Sequence, residues 1–195
     1  MLKPTTTVAL LAFSAALLLA ATPAAEPPPA GDPRLDDATI VAIFDAANTA
    51  DIETGSLAAE RGHSKEVRDY GAMLVTDHKA VRQLGRDLAK KLDVTPTPPA
   101  DDASAKAHAE AMASLRAKRG VEFDRAFLRH EVAFHKAVID AIKTTLLPAI
   151  TNGELKALVL KVAPAFEAHM LAAQRLESEL GKRDVSAAPA PHRGF

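Results

Sequence analysis

Apolar residues recur every three or four positions from about Ala38 to Leu180, the spacing of one helix face, and no segment alternates with period two. Helices are therefore predicted, and no sheet. Prolines, glycines and capping residues divide the pattern. Asp36 or Thr39 caps a first helix that reaches about Arg61, Gly62-His63-Ser64 makes a turn, and Ser64 caps a second helix running to about Leu92. Pro96, Pro98 and Pro99 force a break. Asp101 to Lys118 follows as an Ala-rich helical piece that Gly120 interrupts. A third long helix runs from Val121 to about Leu146, and Pro148 with Thr151-Asn152-Gly153 turns the chain again. The fourth, Glu154 to Leu180, carries Pro164, which should kink it. The expected fold class is all-α: a four-helix bundle with an extra short helix between helices two and three.

The two ends do not share this pattern. Lys3 precedes an apolar run from Val8 to Ala21, and Ala21-Thr22-Pro23-Ala24-Ala25 offers small residues for cleavage, so residues 1–25 read as a secretory signal peptide. The run is shorter than the ~20 residues a membrane-spanning helix needs. Residues 26–37 form a Pro-rich linker, 38–180 the bundle domain, and 181–195, with Pro189, Pro191 and Gly194, a disordered tail. Export to the periplasm is expected, with association at the outer membrane, an envelope partner or a homo-oligomer left open. No transmembrane span is expected in the mature chain.

Composition narrows the chemistry. With 24 Lys+Arg against 25 Asp+Glu the chain lacks the clustered basic excess that phosphate neutralisation requires, so nucleic acid is not an expected partner. The absence of cysteine excludes disulfides, thiolate metal ligands and a Cys nucleophile. No Gly-x-Ser-x-Gly and no phosphate-binding glycine loop is present. Two basic stretches, Arg61 to Arg68 and Arg116 to Arg129, are interleaved with acidic residues and read as solvated surface.

More telling are the polar residues on apolar faces, taken at about 100° per residue. His78 lies at the centre of the stripe of Val67, Gly71, Leu74, Val75, Val81, Gly85 and Leu92. Asp124, Glu131 and His135 share the face of Leu128, Val138, Ile139 and Ile142, with Glu131 and His135 one helical turn apart. His169 sits among Leu155, Leu158, Val162, Phe166, Leu176 and Leu180. Counted from the turns, the three histidines fall near mid-bundle. At that depth helix one carries Asn48, so Asp51 or Glu53 approaches the cluster. Imidazoles and carboxylates converging from facing helices hold metal ions in bundle cores, and His78, His135, His169, Glu131 and Glu53 form the candidate ligand set. Asp77 and Asp124 are candidate supports. Iron, manganese or zinc would suit such donors. The competing reading is a metal-free hydrogen-bond network that sets helix register. The usual di-iron pattern is absent, since Val75, Val132 and Phe166 stand three before the histidines where Glu is required.

Asp51-Ile52-Glu53-Thr54-Gly55-Ser56-Leu57-Ala58, Met73-Leu74-Val75-Thr76-Asp77-His78-Lys79-Ala80, Gly120-Val121-Glu122-Phe123-Asp124-Arg125-Ala126-Phe127 with His135, and Ala163-Pro164 with His169 together resemble the bacterial exported domain of unknown function 4142. The resemblance covers Ala38 to Leu180. It implies a ferritin-like four-helix bundle in the cell envelope and supplies no activity. Its marks fall on Asp77, His78, Phe123, Asp124, His135 and His169, while Thr54 and Ala163 depart from it where bulkier apolar residues are common. Two functions are carried forward. One is a non-enzymatic envelope bundle whose core cluster is structural or binds a metal; the alternative is a metal-dependent redox enzyme acting on peroxide or dioxygen.

Overall fold

The computed structural model describes residues 35–100 and 103–187. The expected signal peptide, the expected linker up to residue 34 and residues 188–195 lie outside the described residues. Helix α1, Asp37–Arg61, begins where the Asp36 carboxylate accepts the Thr39 N–H at 2.8 Å, so Asp36 is the cap. Helix α2, Lys65–Lys91, begins at Ser64, whose Oγ accepts the Val67 N–H. The Ala-rich piece is α3, Ala103–Arg116. Helix α4, Gly120–Ala141, is followed by a π-helical turn, Ile142–Leu146, and by the single turn α5, Leu147–Ala149. Helix α6 spans Gly153–Ala187. Among the described residues there is no strand.

Two expectations need correction. The third long helix does not stay α-helical to Leu146. Pro148 has no N–H to donate, and Leu147 bonds back to the Ile142 carbonyl, five residues earlier, which widens the last turn. The fourth helix does not stop at Leu180. Gly181 costs a helix interior only ~1 kcal/mol relative to alanine, and the extension is tied to α2 by Arg183 on Glu66 at 2.8 Å. Pro164 lies inside α6, which continues through it.

Helix α1 packs along α2 and α4 along α6, with α2 against α6 and α1 against α4 closing the bundle. Glycines set the closest of these approaches. A Cβ on Gly55 would stand 2.8 Å from the Gly71 carbonyl oxygen, and one on Gly71 only 2.6 Å from that of Gly55. The α1 and α2 backbones therefore meet, one turn beyond Asp51 and two turns before His78. Two apolar layers fill the ends of the bundle, and Ile139, Val162 and Phe166 form a third cluster between them. Leu57, Val67, Leu74, Phe123 and Phe127 belong to the layer at the α1–α2 turn, and Ile40, Val41, Ile142, Leu155 and Val159 to the other. Burying each such side chain contributes ~1.5–3 kcal/mol. Along every long helix the buried polar residues Asn48, Asp51, His78, Glu131, His135 and His169 fall between these two layers.

Candidate metal centre

His78 comes from α2, His135 and Glu131 from α4, His169 from α6, and Asn48 and Asp51 from α1. All six are buried. The three imidazoles form a near-regular triangle, with ring centroids 5.0 Å apart for His78 and His169, 5.5 Å for His135 and His169, and 5.7 Å for His78 and His135. Phe166 closes one side, its ring 5.1 Å from that of His78 and 5.8 Å from that of His135.

Each ring has one nitrogen anchored outward. The Asn48 amide is oriented by its Nδ2–H, which donates to the Phe44 carbonyl at 2.8 Å, so Oδ1 is the atom left to face His78 Nδ1 at 2.9 Å. An oxygen there accepts, which places the His78 proton on Nδ1 and a lone pair on Nε2. His135 Nδ1–H donates to the Glu131 carbonyl at 3.0 Å, leaving the Nε2 lone pair inward. His169 Nε2–H donates to Asp77 Oδ2 at 3.0 Å, leaving Nδ1 inward. Burial, with the other two imidazoles adding to it, pushes the His78 ring down to about 3, and burial pushes His135 down to about 4, so both are neutral at pH 7.

Three inward lone pairs therefore converge, and a carboxylate meets them. His78 Nε2 lies 3.2 Å from His169 Nδ1 and 3.3 Å from Asp51 Oδ2, and His135 Nε2 lies 3.9 Å from the same oxygen. Ligands held 2.0–2.1 Å from one tetrahedral ion stand about 3.4 Å apart, with imidazole centroids about 5 Å apart. The two shorter contacts, 3.2 and 3.3 Å, match that edge; the His135–Asp51 contact at 3.9 Å is longer, and the centroid separations of 5.0–5.7 Å start at the expected value. The arrangement is poor as a closed network. Beyond the approach of Asp51 and of the Thr54 hydroxyl to Glu131, the oxygens of Asp51 and Glu131 and His135 Nε2 find no hydrogen-bond partner. Burial, and next the neighbouring Glu131 charge, pushes the Asp51 carboxyl well above the usual carboxylate range, and burial pushes Glu131 up to about 7. The residues present fit a cation: His78, His135 and His169 as one ligand group, with Asp51, Glu131 and His135 as an overlapping second.

A family model described as domain of unknown function (DUF4142) matches residues 20–176, a span that contains every member of the cluster. The chain belongs to this family. No curated protein and no solved structure matches the chain. What the DUF4142 cluster can do must therefore be argued from its own atoms.

The structure brings His78, His135, His169 and Glu131 together as expected and separates Glu53 from them. Glu53 is exposed and meets His108 of α3 at 2.8 Å. Two residues along a helix is about 200° around it, so Asp51 and Glu53 cannot share a face. Asp51 takes the inward place. Asp77 serves as the outward anchor of His169. Asp124 is buried but stands away from the histidines, where its oxygens accept the His63 N–H at 2.7 Å and the Ser64 N–H at 2.8 Å. Asn48 was not among the expected site residues. Its signal was present, for Phe44, Asn48, Asp51, Gly55 and Ala58 follow the three-and-four spacing of one face.

Proposed function

We propose that this DUF4142 protein is an exported cell-envelope bundle that holds one divalent transition-metal ion, iron, manganese or zinc, at mid-bundle. The carrying observation is the convergence of three buried imidazole lone pairs, with an Asp51 oxygen 3.3 Å from that of His78 and 3.9 Å from that of His135. Charge supports the same reading. Imidazoles bind metal uncharged, so ionised Asp51 and Glu131 would balance one dication, and a sealed site of low polarity favours net neutrality. Anchoring also supports it, because each ring nitrogen that would bind metal is paired with an outward N–H held by an acceptor, the arrangement that fixes tautomer and raises ligand basicity. The bound ion would supply Lewis acidity or a redox couple; the chain supplies the orientation of the rings and the exclusion of water.

Metal analysis tests this on the mature protein purified without an affinity tag. The expected result is a near-stoichiometric content of one of these ions, with removal by chelator lowering the melting temperature and re-addition restoring it. Iron, manganese and zinc all well below stoichiometric, together with a melting temperature that added ions leave unchanged, would sink the reading.

A further inference from the structure

The three imidazoles are not held alike. His78 is anchored on Asn48, which is fully buried, and His135 on a main-chain carbonyl inside the bundle. His169 is anchored on Asp77, whose side chain is 47% exposed. Among the three rings His169 is also the most accessible, 5% exposed against 1% for His78 and none for His135. Its main chain is held, since the Tyr70 hydroxyl donates to the His169 carbonyl at 3.0 Å.

We infer that Asp77 and His169 form the exchange gate of the site: the ion passes between α2 and α6 when the His169 ring swings away from Asp77, while His78, His135 and Asp51 stay in place. The inference rests on the reading that the cluster holds an ion. Its physical basis is the unequal cost of breaking the three anchors. Freeing His78 would leave the Asn48 oxygen and an imidazole N–H unpaired in the interior, and freeing His135 would do the same to a buried carbonyl. When the His169 ring leaves Asp77, water replaces the lost bond on the exposed carboxylate at little cost. The fixed main chain confines the motion to the ring. Adjacent positions on α2 then have separate duties, with His78 as a permanent ligand and Asp77 as a positioning residue that governs how fast the last ligand closes.

Zinc alone serves as the probe, with capture followed by rapid mixing and release followed into excess chelator. Asp77→Ala is expected to speed both capture and release severalfold, with the dissociation constant moving less than either rate. Asp77→Asn keeps an acceptor oxygen and should fall between. Because Asp77 is half exposed, neither variant should impair folding. Asn48→Ala, which loosens a buried anchor, should raise release and leave capture unchanged. An Asp77→Ala variant that raises release alone would make Asp77 an orienting residue only and overturn the gate. Unchanged rates in Asp77→Ala, with acceleration in His108→Ala, would move the entrance to α3 and overturn it equally. Wild-type protein that takes up no zinc or other divalent ion would remove the metal reading itself, an outcome distinct from these two.

Discussion

Two aspartates of this DUF4142 protein are buried almost equally, Asp124 at 0% exposure and Asp51 at 1%, yet their surroundings differ completely. Asp124 reaches the α1–α2 turn, where each oxygen takes a main-chain N–H that the turn leaves without a helical partner. Asp51 lies at mid-bundle, where, beyond the approach of Glu131, neither oxygen has a hydrogen-bond partner. A buried carboxylate is tolerated when its charge is met by donors and is costly otherwise. At the turn the chain meets it from within. At mid-bundle the chain gathers two carboxyls, both held above the usual carboxylate range by burial, beside three inward lone pairs, and in the reading proposed above a cation meets them.

If that contrast is right, the two residues should respond in opposite ways. Asp124→Ala removes two charge-assisted bonds and strands two N–H groups at the turn, and should lower stability by about 3–5 kcal/mol. Calorimetry would detect this as the largest drop in melting temperature among the changes considered, with metal stoichiometry preserved in the folded fraction. Loss of metal binding in a variant that keeps its stability would break the assignment of Asp124 to the turn.

Asp51→Asn should show the reverse. In metal-free protein at pH 8 it removes a buried carboxyl whose raised value costs stability wherever the unfolded chain is ionised, and stability should rise. The stabilisation that added ion gives the wild type should at the same time disappear. Denaturant titration with and without the ion measures both halves. A destabilised Asp51→Asn protein whose stability still responds to the ion would overturn the comparison from the mid-bundle side.

How much of this was readable beforehand follows from which interactions are local. The boundaries of α1 and α2 were legible because Asp36 and Ser64 cap through bonds three residues away. The inward aim of His78, His135 and His169 was legible because one-dimensional periodicity states which face of a helix is apolar. The π turn before Pro148 was not, since it depends on which of two carbonyls the Leu147 N–H selects. Nor was the role of Asp124. Its place on the same face as Glu131 and His135 fixes an angle around α4, and seven residues to Glu131 carry it about two turns toward the other helix end, where the α1–α2 turn arrives by tertiary packing. The choice between Asp51 and Glu53 depended on the rotation of α1 about its axis, which the contact between Gly55 and Gly71 sets.

The carboxyl of Glu131 gives the comparison a pH dependence. Burial raises it to about 7 in the folded protein from an ordinary value of 4.5. A carboxyl raised on folding binds its proton more tightly in the native state, so its stabilising contribution is full below the unfolded value and is lost as pH rises through about 7. Against Glu131→Gln, which cannot titrate, metal-free wild type should therefore gain up to ~1.4 kcal/mol per pH unit as pH falls from about 7 to 4.5. Comparing the two proteins cancels the opposite trend from His78 and His135, whose lowered values make stability fall as acid charges them. A difference between the two proteins that stays constant across that window would mean Glu131 is ionised throughout.

The smallest effect should come from Glu53, and it is informative for that reason. Glu53 stands two residues from Asp51 and carries the same charge, so a site held together by diffuse negative potential on α1 would feel its loss. The geometry says otherwise. Glu53 faces away and pairs with His108, with 52% of its side chain exposed, where water screens its field. Exposed pairs of this kind contribute about 0–1 kcal/mol. Glu53→Gln should change stability by less than about 0.5 kcal/mol and leave the zinc dissociation constant within twofold of wild type, measured side by side with Asp51→Asn. A large loss of affinity in Glu53→Gln would mean that α1 is rotated from the orientation seen here. Asp51 would then cease to be the carboxylate that separates the mid-bundle from the turn.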